Sequence, residues 1–367
     1  MNILMVTHGF PPDLSGGESY VAQLTAEILC ERGINLTVLC PAQRNAENYD
    51  AKTDYEVKRV RCIGSNFFFR TLSFYLASRS YIRSFKGDLV YYFRPAAINP
   101  DRPSVYHLHT WRPGLSRSCF NHRQYITGVI NHLIAPLDRA MAKNCTRLIS
   151  PSAHLTSLIR SSMGDELAPI DTIPNPVKRQ SPVTNDRVRR SPGSIIYVGR
   201  LDRAKGIDDL IRATKVLSDA GEPTRLDIVG SGPDLGRLQR LVEEQSLSEI
   251  AVFRGHIPNE RLVREFENYE MLVLPSHYET FGLVIAESLY AGLPCISSDA
   301  CADLGQPTFP AGDVDALVGA IRDLRDVYSS GVGHSYYDPL LLEGTSVDRV
   351  GASLIECFEK AAYPLQP

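Results

Sequence analysis

Three stretches carry residue types and spacings suited to holding a charged, hydroxylated ligand. In PPDLSGGESY, residues 11–20, Gly16 and Gly17 stand after a first apolar run and at the mouth of a predicted helix. Glycines let backbone N–H groups approach an anion, and a helix start adds about half a positive charge. A plain strand-to-helix turn is the alternative. In YVGRLDRAKGIDDL, residues 197–210, Arg200 and Lys205 lie in a loop between Gly199 and Gly206. Two fixed cations with free amides can hold a diphosphate there, where the alternative is exposed surface charge. In SHYETFGLVIAESLYAGLPCIS, residues 276–297, Glu279 precedes a predicted helix and Glu287 lies inside it, eight residues on. A carboxylate in the helix body near its start can accept a pair of sugar hydroxyls, while Glu279 and the amides of Phe281, Gly282 and Leu283 meet the ligand at the helix mouth. Solvated glutamates on an amphipathic helix are the alternative.

Other chemistries find less support. His107 and His109 alternate along a predicted strand and share a face, but no third ligand is evident and two histidines do not make a metal site. Asp313-Val314-Asp315 imitates a metal-binding D-x-D, yet it precedes ALVGAIRDL and reads as a helix cap with an acidic first turn. GSGP at 230–233 reads as a strand-to-helix connector. The eight cysteines form no CxxC and no metal-ligand spacing. Free buried thiols in a reducing compartment are expected, and the N-terminus reads as a first strand rather than a secretory signal.

The elements that must position these groups alternate throughout. Apolar, β-branched runs at 2–7, 35–41, 88–93, 104–109 and 147–152 are separated by helix-length amphipathic stretches. The pattern restarts at 194–199 and continues through 225–230, 251–255, 270–275 and 293–297. This predicts an α/β fold of two Rossmann-like, doubly wound parallel-sheet domains facing a central cleft. Ligands of such sheets bind beyond the carboxyl ends of the strands, where the three stretches fall. Prolines and mixed charge interrupt the periodicity between the halves. The expected division is 1–175, a linker at 176–193, 194–340, and a C-terminal helix at 341–367 that crosses back to the first domain. A length of 367 residues suits two domains, and no apolar run approaches the roughly 18 residues of a membrane span. The net charge of −3 conceals a division: 21 basic against 14 acidic residues in 1–185, and 18 against 28 thereafter.

Together these motifs resemble the retaining glycosyltransferases of family 4, with the GT-B fold. GGESY, VGRLDRAKG, LDIVGSGPDLGRL, FRGHIPNERL and the E-x7-E segment occur in that family's order and approximate spacing. The resemblance implies that Glu287 holds the nucleotide ribose and that Glu279 contacts the donor sugar beside the Phe281, Gly282 and Leu283 amides. It implies that Arg200 and Lys205 neutralise the diphosphate and that the Gly17 amide approaches it. Ile257 would contact the base through its backbone, and His109 would lie near the reacting centre. Segment 300–313 departs from the family in being short and lacking a Gly-Gly and a Pro-Glu.

The expected activity is retaining, metal-independent transfer from a nucleotide diphosphate sugar, UDP- or GDP-linked, to an acceptor hydroxyl, without a further cofactor. Residues 57–87 hold seven basic residues, seven aromatics and no acidic residue. Such a stretch suits an anionic membrane interface, where each cation contributes about 1 kcal/mol. The alternative is a helix whose aromatics enter the core. A lipid-linked acceptor in surface polysaccharide or glycolipid assembly is therefore expected, with a soluble sugar or cyclitol as the alternative. The expected location is cytoplasmic, peripheral at the inner membrane face. Nucleic acid is not an expected partner, for want of a binding motif. A nucleotide-sugar epimerase and a non-catalytic sugar-nucleotide sensor are the readings from other classes.

Overall fold

Both halves fold as the alternation requires, each around its own parallel sheet. The structure, a computed structural model, describes residues 1–12, 16–64, 67–111, 125–164, 166–179, 190–329 and 337–363. Most of the expected linker, 180–189, and Cys119 lie outside these residues. The chain divides into two units, the first from Met1–Leu115, Ile126–Pro176 and Val347–Pro367, the second mainly Val177–Ser346.

The first unit contains β1 (Asn2–Val6), α1 (Gly17–Glu31), β2 (Asn35–Pro41), α2 (Glu47–Asp50), β3 (Glu56–Val60), α3 (Phe67–Ser84), β4 (Leu89–Tyr92), β5 (Ser104–His107), α4 (Tyr125–Asn144), β6 (Arg147–Ser150), α5 (Ala153–Met163) and β7 (Ile170–Thr172). Its sheet order is β3-β2-β1-β4-β5-β6-β7. All pairs are parallel, with Leu4 of β1 in register with Thr37 on one side and Val90 on the other. Strands β4 and β5 are buried along their whole length, as parallel strands covered on both faces must be. Helix α5 starts where Ser152 Oγ accepts the Leu155 N–H and stops at Gly164, whose φ is +62°.

The second unit contains β8 (Ser194–Val198), α6 (Ile207–Asp219), β9 (Arg225–Val229), α7 (Leu235–Glu244), β10 (Ala251–Gly255), α8 (Asn259–Glu265), β11 (Met271–Leu274), α9 (Leu283–Tyr290), β12 (Cys295–Ser298), β13 (Thr308–Phe309), α10 (Val314–Ser329) and α11 (Pro339–Glu343). The order is β10-β9-β8-β11-β12-β13, again all parallel. A core of Ile195, Ile196, Leu226, Ile228, Leu272 and their neighbours fills the space under the helices. At about 1.5–3 kcal/mol for each large aliphatic side chain buried, this core is what holds the loops above it in place. Asp313 Oδ1 accepts the Ala316 N–H at 2.9 Å, so the D-x-D imitation acts as the cap of α10.

Helix α12 (Val347–Ala362) belongs to the first unit, six residues later than the boundary drawn at 341, because α11 stays with the second. Its Phe358 ring stacks edge-on against Tyr91 of β4 at 4.8 Å between centroids. Strands β3, β7 and β13 escape the periodicity because they are short edge strands with half-exposed or few residues. Among the described residues seven cysteines are free thiols, five of them buried: Cys40, Cys145, Cys295, Cys301 and Cys357. Among the described residues no helix is long and apolar enough to cross a membrane.

Candidate functional site

In each sheet the strand order reverses once, and the loops following the two strands at that reversal are brought side by side. This is where an open parallel sheet binds ligands. In the second unit the reversal lies between β8 and β11. The loop after β8 carries Gly199, Arg200 and Lys205; the loop after β11 carries Glu279, Phe281 and Gly282. Lys205 Nζ and Glu279 Oε2 are 2.6 Å apart, with side chains only 20% and 17% exposed. The same loops are laced by backbone bonds, His277 N–H to Ala204 O at 2.8 Å and Tyr278 N–H to the same oxygen at 3.1 Å. Gly206 makes this approach feasible: its φ is +61° and a Cβ there would stand 1.9 Å from the Pro275 carbonyl oxygen.

The pair is charged on both sides. Burial pushes Lys205 down, but the Glu279 charge and hydrogen bond outweigh it and hold the ammonium above its ordinary value. Burial pushes Glu279 up, and Lys205 together with the Thr280 and Phe281 amides holds it below the ordinary carboxylate range. Thr280 N–H donates to Glu279 Oε1 at 2.9 Å. Beside the pair, His277 Nε2 meets Asp209 Oδ2 at 2.5 Å, which raises the histidine against the opposing effect of burial.

The remaining predicted residues of the second unit lie in the same two loops, in α9 and after β10. Arg200 is 67% exposed and pairs with Asp202 at 3.2 Å, so it is the more exposed of the two cations. The Gly199 amide is taken by Val229 O at 3.0 Å; the glycine therefore gives room next to the Tyr197 hydroxyl rather than a free donor. Ile257 buries its side chain in the core after Gly255, which leaves its backbone as what it can offer a ligand. Gly282, with φ +86°, opens α9, and Leu283 is its first residue. Glu287 lies one turn into α9, where burial raises its pKa and a hydrogen bond from Asn259 Nδ2 at 2.8 Å opposes the rise. The short 300–313 segment folds onto the start of α9: Ala302 N–H donates to Phe281 O at 3.1 Å, and the buried Gln306 amide ties Ser297 Oγ to Ala302 O.

Gly16, Gly17 and His109 belong to the first unit, at its own reversal between β1 and β4. Gly16 precedes α1 with φ +105°, and Gly17 is the first helical residue. Next to them Glu18 makes a two-pronged ion pair with Arg94, which follows β4, its Nε lying 2.6 Å from Glu18 Oε1. Strand β5 ends at His107, so His109 lies past the strand rather than in it, yet the two rings lie 4.0 Å apart. His109 also stacks on Phe93 at 4.6 Å. Tyr91 Oη contacts His107 Nδ1 at 2.7 Å. Burial lowers both histidines, His107 with help from His109, and His109 to about 3 with Arg94 contributing. Both are neutral near pH 7.

Sequence reasoning missed Glu18, Arg94, Asp209, Asn259 and His277. Arg94 follows a buried strand at the reversal point, a position the strand-end rule singles out once the sheet order is known. Asn259 looks in sequence like an ordinary helix-start residue, and nothing there signals its partner.

Residues 14–181 match the family model described as Glycosyltransferase Family 4, and residues 186–304 match Glycosyl transferases group 1. Glycogen synthase of Mycobacterium tuberculosis is 26% identical over 370 residues, covering 89% of this chain and 86% of that one. A GDP-mannose-dependent alpha-(1-6)-phosphatidylinositol monomannoside mannosyltransferase of Mycolicibacterium smegmatis is 25% identical over 352 residues, covering 88% of each. The solved structure of Anabaena Alr3699/HepE in complex with UDP-glucose superposes with a TM-score of 0.70 at 17% identity, over 98% of this chain and 100% of that one.

Proposed function

The chain belongs to the family 4 glycosyltransferases of the GT-B type, enzymes that use nucleotide sugars, and from that premise we propose that it transfers a sugar with retention from a UDP- or GDP-sugar to an acceptor hydroxyl, without a metal or further cofactor. The observation that carries this reading is the enclosed Lys205–Glu279 pair at the β8/β11 reversal. On this reading a buried ammonium, beside a carboxylate that takes the sugar hydroxyls, meets the phosphate that leaves as the glycosyl group departs. The bond from the anomeric carbon to phosphate oxygen breaks, the bond to the acceptor oxygen forms on the same face, and the departing phosphate oxygen takes the acceptor's proton. Lys205, Arg200 and the amides at the start of α9 stabilise the charge that develops on the nucleoside diphosphate, the largest contribution in catalysis of this kind. Glu279 meets the sugar hydroxyls, Glu287 the ribose and the Ile257 backbone the base. UDP-glucose in the HepE structure and GDP-mannose in the mycobacterial relative support these two donor classes.

For the acceptor side, α3 is informative. Phe74, Ser78 and Ile82 are buried along one face, whereas Phe69, Leu72 and Leu76 are 56%, 47% and 61% exposed along the other, next to Ile63. Arg70, Arg79, Arg83 and Lys86 are exposed around them. We read this as a peripheral contact with anionic lipid that gives access to a lipid-linked acceptor.

The test is a donor screen with EDTA present, followed by the anomeric configuration of the first-formed product by NMR. Lys205→Ala is expected to lose on the order of 10²-fold or more in turnover. Near-normal transfer by that variant, an inverted anomer, a requirement for added divalent metal, or an altered nucleotide sugar formed without acceptor would each overturn the corresponding part of the reading.

A further inference from the structure

Glu287 is more than a carboxylate on a helix, because it is tied across the site by a residue from another element. Asn259 is the first residue of α8, after β10, and its Nδ2 reaches 28 positions along the chain to Glu287 Oε1 at 2.8 Å. The N-cap of α8 is Pro258, which offers no side-chain acceptor, and Asn259 follows it as the first helical residue. A carboxylate accepts only, so the Asn259 nitrogen must face Glu287 and its Oδ1 must face away. That Oδ1 is buried without a hydrogen-bond partner among the described residues. The amide thus keeps an orientation that leaves its own acceptor unsatisfied in order to donate to Glu287, which burial alone would drive toward its neutral form.

We propose that Asn259 is the positioning residue for Glu287: its amide holds one carboxylate oxygen and leaves the other for the ribose diol of the donor nucleotide. The inference rests on the reading of Glu287 as the ribose-binding group. It makes the loop after β10 a contributor to ribose selection through Glu287.

The experiment is calorimetric titration of the full chain with UDP, GDP and ADP and with their 2′,3′-dideoxy counterparts. The wild type is expected to prefer the ribonucleotide of its own base by about tenfold or more, the scale of hydrogen bonds to a charged group. Asn259→Ala should lose most of that preference while its affinity for the dideoxy nucleotide stays unchanged. Asn259→Asp, nearly isosteric, keeps the question open if the alanine variant fails to fold. It should lose the preference at pH 8, where two carboxylates repel, and regain part of it at pH 5.5, where a shared proton restores a donor. An unchanged preference in Asn259→Ala, or equal loss of both nucleotides, overturns the positioning role. A wild type with no ribose preference, or Glu287→Gln that retains it, overturns the reading of Glu287 itself.

Discussion

Two histidines and one ion pair show how burial sets protonation in this protein. Lys205 and Glu279 stay charged because each supplies what the other's desolvation costs. Among the described residues His107 and His109 have no such partner and stay neutral, burial lowering both, His109 to about 3. The consequence is a stability that depends on acid. An unfolded histidine titrates near 6.5, so between about pH 6.5 and 3 the unfolded chain binds protons that the folded one refuses, and stability falls as pH falls. The slope reaches about 1.4 kcal/mol per pH unit for each histidine in that window. Denaturant melts at pH 7.5 and 5 should show it, and His107→Gln/His109→Gln should flatten it; an equal slope in the double variant would contradict this. His277 has the opposite sign. Its raised pKa makes the Asp209 contact strongest below about pH 6.5, and the contribution is lost as pH rises through the folded value. Lys205 and Glu279 stand out in sequence because they follow apolar strand runs, where an open parallel sheet binds ligands, and Glu287 because it stands eight residues on in a predicted helix. Asn259 and Arg94 do not, because a polar residue's meaning there depends on a partner tens of positions away.

At the level of elements, the site depends on how closely the β8 and β11 loops approach. Gly206→Ala puts a methyl against the Pro275 carbonyl and forces a left-handed backbone, which together cost about 2 kcal/mol or more. The expected result is a lower melting temperature, at about 2–4 °C per kcal/mol for a unit of this size, with a fall in turnover as Lys205 shifts from Glu279. Gly221→Ala, also at positive φ but with open space around it, is the control and should leave turnover unchanged. Helix α3 makes a second prediction. Co-sedimentation with vesicles containing anionic lipid should fall sharply when Arg70, Arg79 and Arg83 are changed to Glu, and again when Phe69, Leu72 and Leu76 are changed to Ser. Equal binding by these variants would remove the membrane contact. Composition placed aromatic and basic residues together in 57–87, but only the helix phase separates Phe74, which enters the core, from Phe69, which does not.

On the scale of the molecule, the first unit is closed by α12, which follows the whole second unit in sequence. Phe358 and Leu354 of α12 are buried, Phe358 against β4, and Arg32 reaches the start of α12 at the Asp348 carbonyl and carboxylate. The cover of the N-terminal sheet therefore includes α12. Phe358→Ala should cost about 3–5 kcal/mol, as large aromatic truncations in cores do. Hydrogen exchange should report the loss in β4 and β5 while β8, β9 and β11 keep their protection; loss of protection in the second sheet would contradict the division into two units. The sequence by itself determined the two parallel sheets, the positions of their buried strands and three stretches suited to a charged, hydroxylated ligand, because hydrophobic periodicity and glycine placement are local properties; the short edge strands β3, β7 and β13 carry no such pattern. Only the tertiary structure decided that Lys205 is paired with Glu279, that Glu287 is held by Asn259, that Arg94 meets Glu18, and that α12 rather than a boundary at 341 returns to the first sheet. Those are contacts between residues distant along the chain, set by strand order and loop approach, and no local pattern encodes them.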